Sequence, residues 1–190
     1  MNARQTAFYR QSRSDWSLFR HLHQSRSGGW GTVQRVWCRM VGVKLTTFPV
    51  RHELHYLQMC TEKLSKAYYK TDLRTGHAAF RRFLTDLPGN PNAIRPLGFA
   101  TIADLTQWEG SVKPIVGAIE DLAPSIADAK GLPNPEYTWP RANPVTAPVD
   151  YPFANELYAH LAAQVRSGKP PFLTILGRMV ETMLPAKWHL

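Results

Sequence analysis

Cysteine is nearly absent: Cys38 and Cys60 are the only two in 190 residues. That number excludes a disulfide framework. Long apolar runs are missing too. None approaches the ~20 residues that a membrane-spanning helix needs, and the opening MNARQTAFYRQSRSDW lacks the continuous apolar stretch of a signal peptide. A cytoplasmic protein with no membrane association is expected. Acidic residues are few, 14 against 23 Lys and Arg, leaving a net charge of +9. The sequence has no P-loop, dinucleotide-binding fingerprint, serine-nucleophile elbow or zinc-ligand cluster. No cofactor and no metal are therefore expected. Alternation of period two, the mark of a half-buried strand, is never sustained, and no segment repeats.

What is present is helical. An apolar content of 44% with 11% aromatics argues against disorder, and the length suits one domain with a full core. The clearest segment is 52–70, where Leu54, Leu57, Cys60, Leu64 and Ala67 recur at threes and fours and share one helical face. Glu53, Gln58, Glu62, Lys63, Lys66 and Lys70 are assigned to the remaining surface, with Glu62 four residues before Lys66 in the favourable order. Residues 1–24 form a helix through Phe8, Trp16, Phe19 and Leu22, which Ser14 or Asp15 could cap or interrupt. Val33, Val36, Trp37, Met40 and Val41 place a helix within 32–43, in a segment, 25–49, that begins with a Gly- and Ser-rich turn.

A short helix is expected from His77 to Leu87, ended by Pro88-Gly89-Asn90-Pro91. Another is expected from Thr101 to Glu109. A longer one runs from Ser111 to Ala129 along Ile115, Ile119, Leu122 and Ile126, with Pro114 in its first turn and an end or kink near Ala123. Residues 131–152 hold six prolines, which exclude helix, while Tyr137, Trp139 and Tyr151 favour an extended segment lying against the domain. Two helices, one through Phe153, Leu157, Leu161 and Val165 and one through Phe172, Ile175, Leu176, Met179 and Met183, close the chain. The fold class is all-α: five to seven helices in an antiparallel up-and-down bundle around 51–70 and 112–127. Its core is expected to include Leu54, Leu57, Leu64, Phe80, Phe83, Ile115, Ile119, Leu122, Leu161, Leu176 and Met179.

The charge is uneven. Residues 1–44 hold Arg4, Arg10, Arg13, Arg20, Arg26, Arg35, Arg39 and Lys44 against a single acid, Asp15. Such a balance suits a polyanion, because Lys and Arg that neutralise phosphates release counterions, and it equally suits an acidic protein partner. Arg10, Arg13, Arg20 and Arg26 are expected to point outward, and replacing Arg13, Arg20 and Arg26 should flatten the salt dependence of any nucleic-acid binding. A second basic patch is expected from Lys70, Arg74, Arg81 and Arg82.

Several stretches resemble HEPN domains. His55-Tyr56-Leu57-Gln58 and Thr61-Glu62-Lys63-Leu64-Ser65-Lys66-Ala67 are similar to the second HEPN helix, and Thr75-Gly76-His77-Ala78-Ala79-Phe80 to the opening of the next. Pro133-Asn134-Pro135-Glu136-Tyr137-Thr138-Trp139-Pro140 looks like an element that follows the fourth helix in one group of bacterial HEPN-like proteins, and 171–184 fits that group's last helix. The resemblance covers about two-thirds of the chain and makes 25–49 an insertion. It implies a single helical domain that forms a homodimer or a subunit of a multiprotein complex in toxin–antitoxin, CRISPR or other antiviral defence systems. Catalytic members are metal-independent ribonucleases carrying Arg, four to six residues, then His. None of His21, His23, His52, His55, His77, His160 and His189 has an arginine at that distance upstream. A non-catalytic accessory or regulatory protein is therefore expected. The alternative is a divergent ribonuclease using Arg74 and His77, or Arg51 and His55, across a dimer. His52 and His55 could share a metal at i and i+3, but no second ligand pair accompanies them.

Overall fold

The computed structural model describes residues 3–26, 50–69, 79–123 and 154–183, together with residue 40. The described residues form seven α-helices and no strand: α1 Ala3–Arg26, α2 Val50–Tyr68, α3 Ala79–Asp86, α4 Pro91–Leu97, α5 Ile102–Glu120, α6 Ala154–Arg166 and α7 Phe172–Thr182. A single 3-10 turn, Leu87–Gly89, joins α3 to α4. The insertion placed at 25–49 and the extended segment placed at 131–152 lie outside the described residues, apart from the end of α1 and residue 40.

α1 and α2 run antiparallel along their lengths. At one end Gln5 Nε2 donates to the carbonyls of Ala67 and Tyr69; at the other, His23 Nδ1 lies 2.6 Å from Glu53 Oε1. α7 closes against α1, where the Tyr9 hydroxyl donates to the Val180 carbonyl. Leu54, Leu57, Leu64, Phe80, Phe83, Ile115, Ile119, Leu122, Leu176 and Met179 are buried in one continuous core, as their spacing requires, whereas Leu161 is only partly buried against it.

Three sequence expectations are corrected. Glu53, Gln58 and Glu62, assigned to the surface, are buried, because α2 is covered on more than its apolar face. Asp15 neither caps nor interrupts α1; it is buried in mid-helix. The helices expected at 101–109 and 111–129 are one, α5. It opens on a capping box in which Thr101 and Asp104 exchange side-chain and backbone bonds, and it stops at Glu120. Pro114 therefore sits in a helix interior, not in a first turn. A proline ring presses on the carbonyl four residues back; here that residue is Gly110, exposed and with nothing within 4 Å of where a Cβ would be.

The α1–α2 interface contains polar groups that apolar patterning does not anticipate. Asp15 accepts from Gln11 Nε2 at 2.9 Å, while its Oδ2 finds no partner among the described residues. Burial raises the Asp15 carboxyl above its ordinary value, against the opposing effects of Gln11, Lys63 and His55. Burial also pushes up the Cys60 thiol, with Asp15 adding to the shift, so Cys60 stays protonated and inert. A carboxyl raised on folding adds its stability below the unfolded value and loses it as pH rises through the folded one. At pH 7 the ionised Asp15 thus opposes folding. Asp15→Asn is expected to raise the melting temperature by about 2–4 °C at pH 7, from on the order of 1 kcal/mol. That gain should vanish near pH 3, where Asp15 is neutral in both states; melts at the two pH values check it.

Candidate functional site

The outer face of α1 is the first candidate. The helix carries five arginines and one acid, Asp15. Since Tyr9, Ser12, Asp15, Trp16, Phe19 and Leu22 form its buried stripe, the only carboxylate of α1 points inward. Arg10 and Arg13 are exposed, and the half-exposed Arg20 lies 3.8 Å from Glu181 of α7. On the other flank, Arg4, Lys63 and Lys66 stand 5.7, 5.9 and 5.8 Å from the centre of the Phe8 ring, within cation–π range. Lys63 and Lys66 also meet Glu62 at 3.3 and 2.5 Å. Burial alone would push the Glu62 carboxyl up. The Lys66 hydrogen bond, the charges of Lys63 and Lys66 and the Gln58 amide outweigh it and hold the carboxyl at about 2.

A groove of about 430 Å³ separates α1 from α7. Trp16, Phe19, Arg20 and His23 line one wall, and Leu173, Thr174, Gly177, Arg178 and Glu181 the other. Gly177 permits this close approach, since a Cβ there would lie 3.1 Å from Trp16 Cζ2. Arg178 is fixed by its Nη1 bond of 2.7 Å to the Leu97 carbonyl. That bond passes over Gly98, which ends α4 at a φ of 83° and where a Cβ would collide with the guanidinium. Behind the groove, the buried Glu53 carboxylate accepts from His23 Nδ1 and from the Tyr158 hydroxyl on one oxygen. Phe19 stacks on the His23 ring at 5.4 Å, and Tyr158 lies nearly parallel to it at 6.4 Å. Three helices therefore fix one imidazole. A buried carboxyl group is costly unless hydrogen-bonded, and these donors meet that need.

The described arginines of the second expected patch are each matched by an acid. Arg81 Nη2 lies 3.0 Å from the buried Glu120, whose other oxygen accepts from the Arg81 backbone at 2.9 Å. Arg82 lies 3.7 Å from Asp86 and over the Tyr69 ring, whose hydroxyl donates to Asp86 at 2.6 Å. Desolvation and the Asp86 carboxylate push the Tyr69 hydroxyl up.

Lys70, Arg74 and His77 lie outside the described residues, and Arg26 and Arg51 are described only as backbone of α1 and α2. His55 is half-buried on α2, edge-on to Tyr56 at 5.3 Å. Among the described residues no group of three or more His, Cys, Asp or Glu is placed to hold a metal ion, and no helix is long and apolar enough to cross a membrane. Sequence reasoning missed His23, Glu53, Tyr158 and Arg178. A signal existed for two of them: His23 continues the Trp16–Phe19 stripe by four, and Glu53 precedes Leu57 by four on the apolar face of α2. The chain matches no protein-family model, no curated protein and no solved structure.

Proposed function

We propose that this protein is a non-catalytic helical subunit that holds nucleic-acid phosphate on the outer face of α1. The HEPN resemblance of its sequence supports an accessory or regulatory place in a prokaryotic defence, CRISPR or toxin–antitoxin assembly, as a homodimer or with other chains. The observation that carries the reading is the inward turn of Asp15, which leaves Arg10 and Arg13 on an outer helix surface without a carboxylate of its own. Phosphate contacts of this kind are independent of base sequence and weaken steeply with salt. The arginines at 81 and 82, already paired with Glu120 and Asp86, contribute less.

Arg10→Gln with Arg13→Gln is the test. Each lost phosphate contact should remove about 0.9 from the log–log salt slope on duplex DNA, or about 0.7 on single strands, with equal weakening across unrelated sequences. Fluorescence anisotropy between low and moderate salt reads both quantities. An unchanged slope, or a loss confined to one sequence, would overturn the reading. Cleavage of RNA in EDTA that disappears with His55→Ala or His77→Ala would replace it with the ribonuclease alternative.

A further inference from the structure

We propose that the α1–α7 groove binds a phosphate monoester whose organic part is flat and apolar. The inference rests on the groove's own residues and not on the Arg10–Arg13 surface. Arg20 and Arg178 enter from facing helices, and Glu181 is the single carboxylate among the described lining residues. One guanidinium is matched by a carboxylate such as Glu181; a second calls for further negative charge. A phosphate monoester carries about −1.5 to −2 near neutral pH and offers three acceptor oxygens, which two guanidinium forks can share. Arg178 is held by the Leu97 carbonyl through Nη1 alone. Its other N–H groups keep a set direction, so little side-chain freedom is lost when an anion arrives.

The inner wall calls for a different kind of atom. Trp16, Phe19 and Leu173 make it apolar, and the volume of about 430 Å³ exceeds what a bare phosphate fills. Trp16 adds one polar feature. It is 7% exposed, and its Nε1 finds no acceptor among the described residues. That nitrogen lies wholly below the groove surface, so it does not bond to an occupant, and its N–H signal reports on one packed against the ring. The bare Gly177 backbone packs against the indole and closes the floor of the groove there.

The same chemistry has two sources: a free aromatic phosphate ester, or the 5′-phosphate end of a nucleic-acid strand. Phenyl phosphate is the probe for the groove, followed by the indole N–H signals of the full chain in nitrogen-15 spectra, with Trp16 assigned through Trp16→Phe. Phenyl phosphate is expected to move the Trp16 signal and to bind more tightly than inorganic phosphate. Arg20→Gln should weaken it about tenfold or more, from the loss of one charge-assisted contact. Arg178→Gln should do the same, with Arg20→Gln the safer variant because Arg178 also supports α4. Arg10→Gln with Arg13→Gln should leave phenyl phosphate binding intact while lowering the nucleic-acid salt slope, so each proposal can fail alone. A 5′-phosphorylated oligonucleotide that binds more tightly than its 5′-hydroxyl counterpart, in an Arg20-dependent way, identifies the strand end as the source. Equal binding of the two strands, with phenyl phosphate still Arg20-dependent, identifies the free ester. No binding of phenyl phosphate at millimolar concentration, or binding that neither arginine variant weakens, overturns the proposal.

Discussion

Trp108→Ala is expected to destabilise the protein by about 3–5 kcal/mol, the range for truncating a buried large aromatic. At this chain length that corresponds to a melting temperature lower by roughly 6–20 °C. Trp108 is among the largest fully buried side chains, 1% exposed in the middle of α5. Its ring stacks on Phe172 at 6.4 Å with 7° between planes and lies 5.7 Å from Phe99. Its Nε1 donates to the Pro170 carbonyl at 3.0 Å. That carbonyl also accepts from Gln164 Nε2, whose own oxygen receives the Phe172 backbone N–H at 3.0 Å. Truncation would thus open a cavity where α5 meets the α6–α7 turn and remove one of the two donors on Pro170. Trp108→Phe separates the effects: it retains most of the buried area, loses the hydrogen bond and should cost about 1 kcal/mol from that bond. Urea unfolding of both variants measures the difference. A loss below about 1 kcal/mol for Trp108→Ala, well under the range for a buried aromatic, would show that this turn is not packed on α5.

Apolar spacing was a reliable guide wherever one face of a helix meets the core. The stripe Leu54–Leu57–Cys60–Leu64–Ala67 and the pair Phe80–Phe83 are buried as their periods require. It misled where a helix is covered on further faces. In α2 the positions Gln58, Thr61, Glu62 and Ser65 are buried beside the apolar stripe, and each is satisfied by bonds within one turn: Thr61 to the Gln58 carbonyl, Ser65 to the Thr61 carbonyl, and Gln58 to Glu62. Polarity marks exposure only when a polar group has no local partner, and these side chains find theirs on their own helix. Pro114 likewise stands inside α5 and does not begin a helix, with the exposed Gly110 at the position whose carbonyl its ring faces. The groove was not legible at all, because Arg20 and Arg178 are 158 positions apart by number and meet only through the packing of α7 on α1. The charge of α1 was legible, but the inward turn of Asp15 that makes its outer face uniformly basic was not.

Glu62→Gln is expected to cost roughly 2–3 kcal/mol at pH 7, and the cost should be erased by acid. Glu62 lies at the α1–α2 interface with its side chain 8% exposed, between Lys63 at 3.3 Å and Lys66 at 2.5 Å. Although burial works against its charge, the two ammonium groups and the Gln58 amide lower the folded carboxyl from 4.5 to about 2. A folded value below the unfolded one means that the ionised group supports folding above pH 4.5. That support drains away as pH falls from 4.5 towards 2. A tenfold change in proton affinity between the folded and unfolded chain is worth about 1.4 kcal/mol, and partial exposure of both lysines moderates the total. The glutamine variant keeps the shape and the Gln58 contact but leaves two cations beside Phe8 without their shared anion. Asp15→Asn, on the facing helix of the same antiparallel pair, should move stability the opposite way, because Asp15 is buried with one oxygen unpartnered among the described residues whereas Glu62 is buried with cations. Urea unfolding at pH 7, 4.5, 3 and 2 reads the difference between Glu62→Gln and the parent chain. It should narrow across the last three values and be small at pH 2; a difference that is constant with pH would mean that Glu62 acts through packing and not through its charge.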